Sequence, residues 1–203
     1  KVQSVHKHLS YDEQLKVRGK QGVELPGVEL RIVDDNGKVL PRDGVSVGEF
    51  EIRGAWIISS YYKLKDNGDR FSKDGWFKTG DVGTIDEFGF MNITDRTKDL
   101  IKSGGEWVSS VALETAILGH PKVREASVIA IPDPKWMERP LACVVLQDNE
   151  TITVEEIRQF LSNEFASYQL PDKVVLLKEI PKTSVGKFDK KEMRKRYAEG
   201  TLN

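Results

Sequence analysis

The sequence predicts an α+β chain in two parts, a β-rich, barrel-like first half followed by a small α+β domain. Three observations predict it. Short runs that alternate apolar and polar residues, separated by turn residues, fill the chain up to Thr94. From about residue 96 to 200, strand-like runs alternate instead with segments that open on helix-capping residues. The length of 203 residues suffices for two small domains, each with its own core. The boundary is predicted within Asp95–Lys98, giving segments 1–95 and 96–203.

In the first segment, Val28–Val33 alternates at the period of a half-buried strand. Asp34-Asp35-Asn36-Gly37 supplies turn chemistry, because Asn-Gly tolerates positive φ, and Lys38–Leu40 is expected to return as the hairpin partner. Gly48–Gly54 is a second alternating strand. Val82–Asp86 and Phe90–Thr94 form a second hairpin around Glu87-Phe88-Gly89. Short strands with regular turns suggest a small barrel or sandwich.

In the second segment, Asp99–Ser103 and Glu106–Val108 flank Gly104-Gly105, a two-residue hairpin signal. Ser110 is the expected cap of a helix over Val111–Leu118, ended by Gly119 and Pro121. Glu125–Ile131 and Leu141–Leu146 are apolar, β-branched runs and read as core strands. Thr153-Val154-Glu155-Glu156 is a capping box that opens a helix to about Phe165. Lys173–Leu177 is a strand. Asp189-Lys190-Lys191-Glu192 is a second capping box, opening a basic terminal helix that fades at Gly200.

Composition excludes several classes. Hydrophobic residues make up 38% and charged residues 31%, as in ordinary soluble domains. A formal net charge of −1 argues against a nucleic-acid binder. The longest apolar runs, Ala126–Pro132 and Leu141–Leu146, are too short to span a bilayer, and no signal segment opens the chain. Cys143 is the only cysteine, so no internal disulfide is available; it lies in an apolar run and reads as a buried thiol. A cytoplasmic location is expected. The chain opens on Lys1 rather than Met, which points to a fragment.

Four segments carry chemistry-bearing residues, and each alone has a bland reading. In Gly75-Trp76-Phe77-Lys78-Thr79-Gly80-Asp81, glycines at a strand start could aim the Asp81 carboxylate at a pair of ribose hydroxyls; a solvated surface turn serves as well. Asp95–Lys102 is a charged linker in which Arg96 could hold a hydroxyl or phosphate and Lys98 could hinge two domains, or which simply faces water. Ser103-Gly104-Gly105-Glu106-Trp107 permits close backbone approach to a ligand, or is a plain hairpin turn. Pro181–Phe188 contains Gly186-Lys187 but is no Walker loop: Pro181 stands where glycine is required and Phe188 where Ser or Thr is. Lys187 is then a lysine on a loop before a capped helix, positioned to reach out.

Taken in order, these segments resemble the closing part of the adenylate-forming superfamily, which joins acyl-CoA synthetases, peptide-synthetase adenylation domains and firefly luciferase. Thr79-Gly80-Asp81, Asp95–Glu106 and Pro181–Lys187 carry the resemblance, which extends from about Gly22 onward. Asp95–Trp107, with Pro134-Lys135-Trp136 and Glu138-Arg139-Pro140, is most similar to medium- and long-chain fatty-acyl-CoA synthetases.

The resemblance implies a two-step reaction with ATP and coenzyme A. A fatty acid or related carboxylate first forms an acyl-adenylate with loss of pyrophosphate, and the coenzyme thiol then displaces AMP. It places Asp81, Arg96 and Lys187 on ATP or AMP, Lys187 as the catalytic lysine between acyl carboxylate and α-phosphate, and Lys98 at the hinge of a mobile lid. Gly104, Gly105, Glu106 and Trp107 would bind coenzyme A. Trp107 and Trp136 could each stack on a ligand or pack internally. No metal ligand is assigned here; Mg²⁺ would be held by the larger preceding domain, as would the phosphate-binding loop and acyl pocket absent from these residues. Segment 1–95 would be the tail of that domain and the isolated chain inactive. A carrier-loading adenylation domain and a stand-alone interaction module are the alternatives, and a homodimer is compatible with any of them.

Overall fold

Alternation at a period of two sets the strands of the first part. In the computed structural model, which describes residues 4–63 and 68–202, β1 (Val28–Val33), β2 (Gly48–Gly54), β3 (Phe77–Ile85) and β4 (Met91–Arg96) form an antiparallel meander in that order. Lys1, read as the opening of a fragment, lies outside the described residues. Leu30, Ile32, Phe50 and Ile85 are the buried side of the sheet, with Leu40, Ile52 and Met91 packed against them. The sheet is an open meander with β1 and β4 as its edges, and no barrel closes among the described residues. The reason is that short strands and regular turns are common to barrels and meanders; closure depends on pairing between first and last strands, which no local pattern encodes.

Local departures have local causes. Asp34 Oδ1 accepts the amides of Asn36 and Lys38, and Gly37 adopts φ +78°, so the turn forms as expected. The returning segment makes only a single bridge, Val39 to Val33, instead of a strand. A helix not expected from the sequence, α1 (Tyr11–Arg18), precedes the sheet. It buries none of its residues, so it lacks the apolar stripe that betrays a helix. Its signal was the capping box of Ser10 with Glu13.

The second part is a sheet covered on both faces. β5 (Ile101–Ser103) and β6 (Glu106–Val108) are short; β7 (Val123–Asp133) and β8 (Met137–Leu146) form one long antiparallel hairpin. The other edge of β8 is shared: β5 pairs with it only through Ser103–Met137, and β9 (Lys173–Leu176) runs parallel along Leu141–Val144. Three helices complete it: α2 (Ser110–Leu118), α3 (Val154–Leu161) and α4 (Lys190–Ala198). Val128, Ala142 and Val144 pack with Leu113 and Ile117 of α2 and Ile157 and Leu161 of α3. Their neighbours Ile129, Leu141, Cys143 and Val145 pack with Ile180 and with Met193 of α4. Because both faces are buried, β7 and β8 read as continuous apolar runs rather than alternating ones.

Helix ends needed the structure. The cap of α2 is Ser109, whose hydroxyl accepts the Ala112 amide, not Ser110. The Thr153–Glu156 capping box forms, but α3 stops at Leu161 instead of Phe165. At α4, Asp189 accepts the Glu192 amide, while the Glu192 carboxylate pairs with Arg196 one turn on. Contacts divide the chain into two units, Lys1–Lys98 and Asp99–Asn203.

Candidate functional site

In the first unit, Asp81 lies within β3 rather than at its start, where the pairing of β2 with β3 shifts register. Gly80 takes φ +74°, a conformation glycine supplies without steric cost. The surrounding backbone is tied down: the Thr79 hydroxyl donates to the Phe50 carbonyl (2.9 Å) and accepts the Asp81 amide (3.1 Å). The Gly80 amide donates to the Glu49 carboxylate (3.2 Å), and burial pushes that carboxyl above its usual range. Asp81 stands directly opposite Arg96 on β4, and Arg96 Nε donates to Asp81 Oδ1 at 2.9 Å. Both side chains keep solvent access. Next to them Asp95 is buried and accepts the Arg96 amide at 2.7 Å, while Lys98 is exposed.

In the second unit, Gly104 (φ +62°) and Gly105 (φ +88°) form the two-residue turn between β5 and β6. The two glycines are needed for different reasons. The Gly104 amide donates to the Trp136 carbonyl at 2.8 Å, and a β-carbon at Gly104 would stand 2.7 Å from the Trp136 ring. A β-carbon at Gly105 would meet nothing within 4 Å. The room that glycine leaves at 104 is thus taken by an indole, and the open side of the turn is at Gly105. Glu106 is exposed; Trp107 is half-buried with Lys102 Nζ 5.6 Å from its ring centroid. Trp136 is 40% exposed, with Lys135 Nζ 4.6 Å from its centroid. Aromatic faces beside ammonium groups suit a base and its phosphates.

Lys187 sits on a separate loop of the same unit. The loop closes on itself: the Gly186 amide donates to the Thr183 carbonyl (2.9 Å), the Thr183 amide to the Lys187 carbonyl (2.7 Å), and Gly186 takes φ +81°. The Lys187 side chain is exposed and its ammonium makes no hydrogen bond or ion pair among the described residues. Ion pairs hold both feet of the loop. Lys182 meets Glu125 at 2.8 Å. Lys190 meets Glu114 at 2.8 Å and the Ser110 hydroxyl at 2.7 Å, and Glu114 in turn accepts the Val128 amide at 2.7 Å.

These anchors locate the two turns on one ruler. The glycine turn is fastened at the closed end of the β7–β8 hairpin, by Trp136 and Met137. The Lys187 loop is fastened at Glu125 and, through Glu114, at Val128. Asp133 ends β7, eight residues beyond Glu125 and five beyond Val128, or roughly 17–27 Å of strand. The structure therefore brings Asp81 and Arg96 together, gathers Gly104, Gly105, Glu106 and Trp107 into one hairpin, and carries Lys187 on a separate loop with its own anchors. Sequence reasoning missed Glu49, Glu114, Lys190 and the role of Arg139. The signal for Arg139 was a charged residue heading an otherwise apolar core strand.

Residues 112–187 match the family model of the AMP-binding enzyme C-terminal domain. The second unit is a C-terminal domain of the adenylate-forming enzymes. The chain is 48% identical over 198 residues to a long-chain-fatty-acid–CoA ligase of Thermus thermophilus, covering 97% of the chain and 36% of that relative. It is 47% identical over 192 residues to a 3-methylmercaptopropionyl-CoA ligase of Ruegeria lacuscaerulensis, covering 95% and 35%. Among solved structures, ATP-bound MatB from Rhodopseudomonas palustris aligns with a TM-score of 0.79 at 33% identity, over 90% of the chain and 36% of that protein. The chain thus spans about a third of the length of the relatives it matches, and its C-terminal domain occupies the second half of that span.

Proposed function

We propose that the chain is the closing part of an AMP-forming acid–thiol ligase, and that its C-terminal domain serves both half-reactions by turning about Lys98. In the first step an acyl carboxylate oxygen attacks the α-phosphorus of ATP, an acyl–phosphate bond forms and pyrophosphate leaves. In the second the coenzyme A sulfur attacks the acyl carbon, its proton passes to solvent or a base, and AMP leaves.

One observation carries the alternation. The Gly104-Gly105 turn is fastened at the closed end of one long hairpin, and the Lys187 loop is fastened at Glu125 near its open end and, through Glu114, at Val128 in the middle of β7. A domain that presents Lys187 to the acyl carbon in one orientation and the glycine turn in another would serve both steps there. The chain divides immediately after Lys98, which suits a hinge there.

The residue types suit their assigned tasks. Adenylation brings an anionic oxygen to an anionic phosphate, and an exposed ammonium with no partner among the described residues suits the task of offsetting that charge. Asp81 accepts hydrogen bonds from the ribose hydroxyls, and Arg96 orients its carboxylate and reaches the same ribose. The open side at Gly105, flanked by Trp107 and Trp136, admits the pantetheine arm. The acid is a fatty acid or a related carboxylate. The likeness to the Thermus long-chain-fatty-acid–CoA ligase supports a fatty acyl group, and the nearly equal likeness to a 3-methylmercaptopropionyl-CoA ligase supports the broader class. The 203 residues alone are expected to form no acyl-CoA.

The full-length enzyme supplies the test. With fatty acids, ATP and free coenzyme A it should yield acyl-CoA, AMP and pyrophosphate. Lys98→Pro, which stiffens the backbone at the hinge, should slow thioester formation by at least about tenfold more than adenylate formation. Thioester appearing only on a carrier protein would replace the coenzyme assignment, and equal rates in the Lys98→Pro enzyme would remove the hinge.

A further inference from the structure

We propose that Arg139 is the positioning residue of the glycine turn, acting through Ser103 to set where Gly104-Gly105 stands during thioester formation.

The turn is weakly held by backbone pairing. β5 and β6 have three residues each, and only Ser103–Met137 pairs β5 with the rest of the sheet. A hairpin this short has little stability of its own. Its position is decided by side chains of β8. The Glu138 carboxylate accepts the Lys102 amide at 2.8 Å. Arg139 Nη1 donates to Ser103 Oγ, the residue directly before the glycines, at 2.8 Å. Two successive residues of β8 thus hold two successive residues of β5.

Arg139 can act as a fixed point because it is itself fixed. Its side chain is buried, and all three guanidinium nitrogens are engaged. Nε and Nη2 take Asp172 as a fork, at 2.5 and 2.9 Å. Nη2 also donates to the Leu170 carbonyl at 3.0 Å, and Nη1 to the Tyr168 carbonyl. Arg158 Nη1 also donates to Asp172 Oδ1, at 3.2 Å. The planar fork leaves the guanidinium one orientation, and that orientation aims Nη1 at Ser103. Packing alone does not call for a charge there: the next five residues of β8, Pro140 to Val144, are buried and apolar. Arg139 is buried while Asp172 is 42% exposed, so solvent screens the pair, and its weight lies in fixing one arrangement of the guanidinium more than in stability. Ser103, buried at 2% exposure, is where that arrangement meets the turn.

This inference rests on the assignment of the glycine turn to the thioester step, and the experiment separates the two. Ser103→Ala removes only the link, leaving Arg139 on Asp172. Arg139→Lys keeps the charge and loses the fork. In the full-length enzyme, amide exchange at Lys102 and Gly104 should rise about tenfold in both variants, while amides of the β7–β8 ladder stay unchanged. Thioester formation from supplied acyl-adenylate should fall about tenfold and adenylate formation by less than about twofold, with Ser103→Thr restoring both readouts. Unchanged exchange at Lys102 and Gly104 overturns the tether. Faster exchange with undiminished thioester formation leaves the tether standing and overturns the role of the turn, and with it the proposal. Equal loss of both half-reactions, with exchange raised throughout the domain, marks Arg139 as structural only and also overturns it.

Discussion

The glycine turn and the Lys187 loop are both tight reversals built on left-handed glycines, yet they are held in opposite ways. The turn is pinned by a backbone hydrogen bond, an indole and a buried, forked guanidinium. The loop stands on two lysine–glutamate contacts, one of them well exposed, and presents an ammonium that makes no hydrogen bond or ion pair among the described residues. Lysine is a point charge on a flexible stem, whereas arginine fixes direction. A rigid wall is what a narrow thiol-bearing chain needs, and a long reach is what a charge delivered to a phosphate needs. The difference in support thus matches the two assigned tasks.

The largest expected effect breaks the comparison at Lys187. Lys187→Ala in the full-length enzyme should lower adenylate formation on the order of 10²–10³-fold and change thioester formation from supplied acyl-adenylate by less than about threefold. Single-turnover assays of each step would show it; equal losses would mean the two regions do not divide the labour.

A smaller effect separates the two glycines. Gly104→Ala places a methyl against the Trp136 ring at an unfavourable φ and should cost about 2–3 kcal/mol in urea denaturation. Gly105→Ala meets only the φ penalty, about 1 kcal/mol. Adding Trp136→Ala to Gly104→Ala should recover part of the loss as a favourable coupling term, while the same addition to Gly105→Ala should be additive. A coupling at 105 instead of 104 would reverse the roles of the two positions.

Acid sharpens the contrast in support. The Arg139 guanidinium holds the Asp172 carboxyl below its usual value, against some desolvation. A folded value below the unfolded one means that the stabilisation is complete above about pH 4 and disappears as pH falls through the folded value. Melting temperature should therefore drop as pH falls below about 4, and Asp172→Asn should flatten that limb. Lys182→Ala, which removes a partly exposed pair, should shift stability by no more than about 1 kcal/mol at neutral pH.

The smallest effect concerns Cys143 of β8, in the hairpin to which both turns are fastened. Burial pushes its thiol up to about 12, so at pH 8 a thiol reagent should label it only when the domain opens. Labelling should be complete in denaturant and slow in buffer, and should be unaltered by Ser103→Ala, whose effect is local. Fast labelling of the native protein would mean that the β7–β8 hairpin is not rigid.

Much of this was legible along the chain because it is local. The turn at Gly104-Gly105, the capping box at Thr153 and Glu156, and the alternation of β1 and β2 each rest on neighbours within a few residues. That Asp81 and Arg96 serve one nucleotide was implied only through resemblance, and their direct pairing was not read at all, since the cross-strand contact spans a hairpin. Helix α1 escaped because a capping box without an apolar stripe is half a signal. Arg139 escaped because its partners lie about thirty residues away in either direction, at Ser103 and at Tyr168 to Asp172.

The sequence by itself determined which residues turn, cap and alternate, and through its motifs the family, since φ preference, capping and strand period are short-range properties. Only the tertiary structure decided that Trp136 fills the space over Gly104, that Arg139 reaches the turn, and that the turn and the Lys187 loop are fastened at different points of one hairpin. Those facts depend on which distant segments share a sheet edge, and that is settled by burial of the whole domain rather than by any stretch of chain.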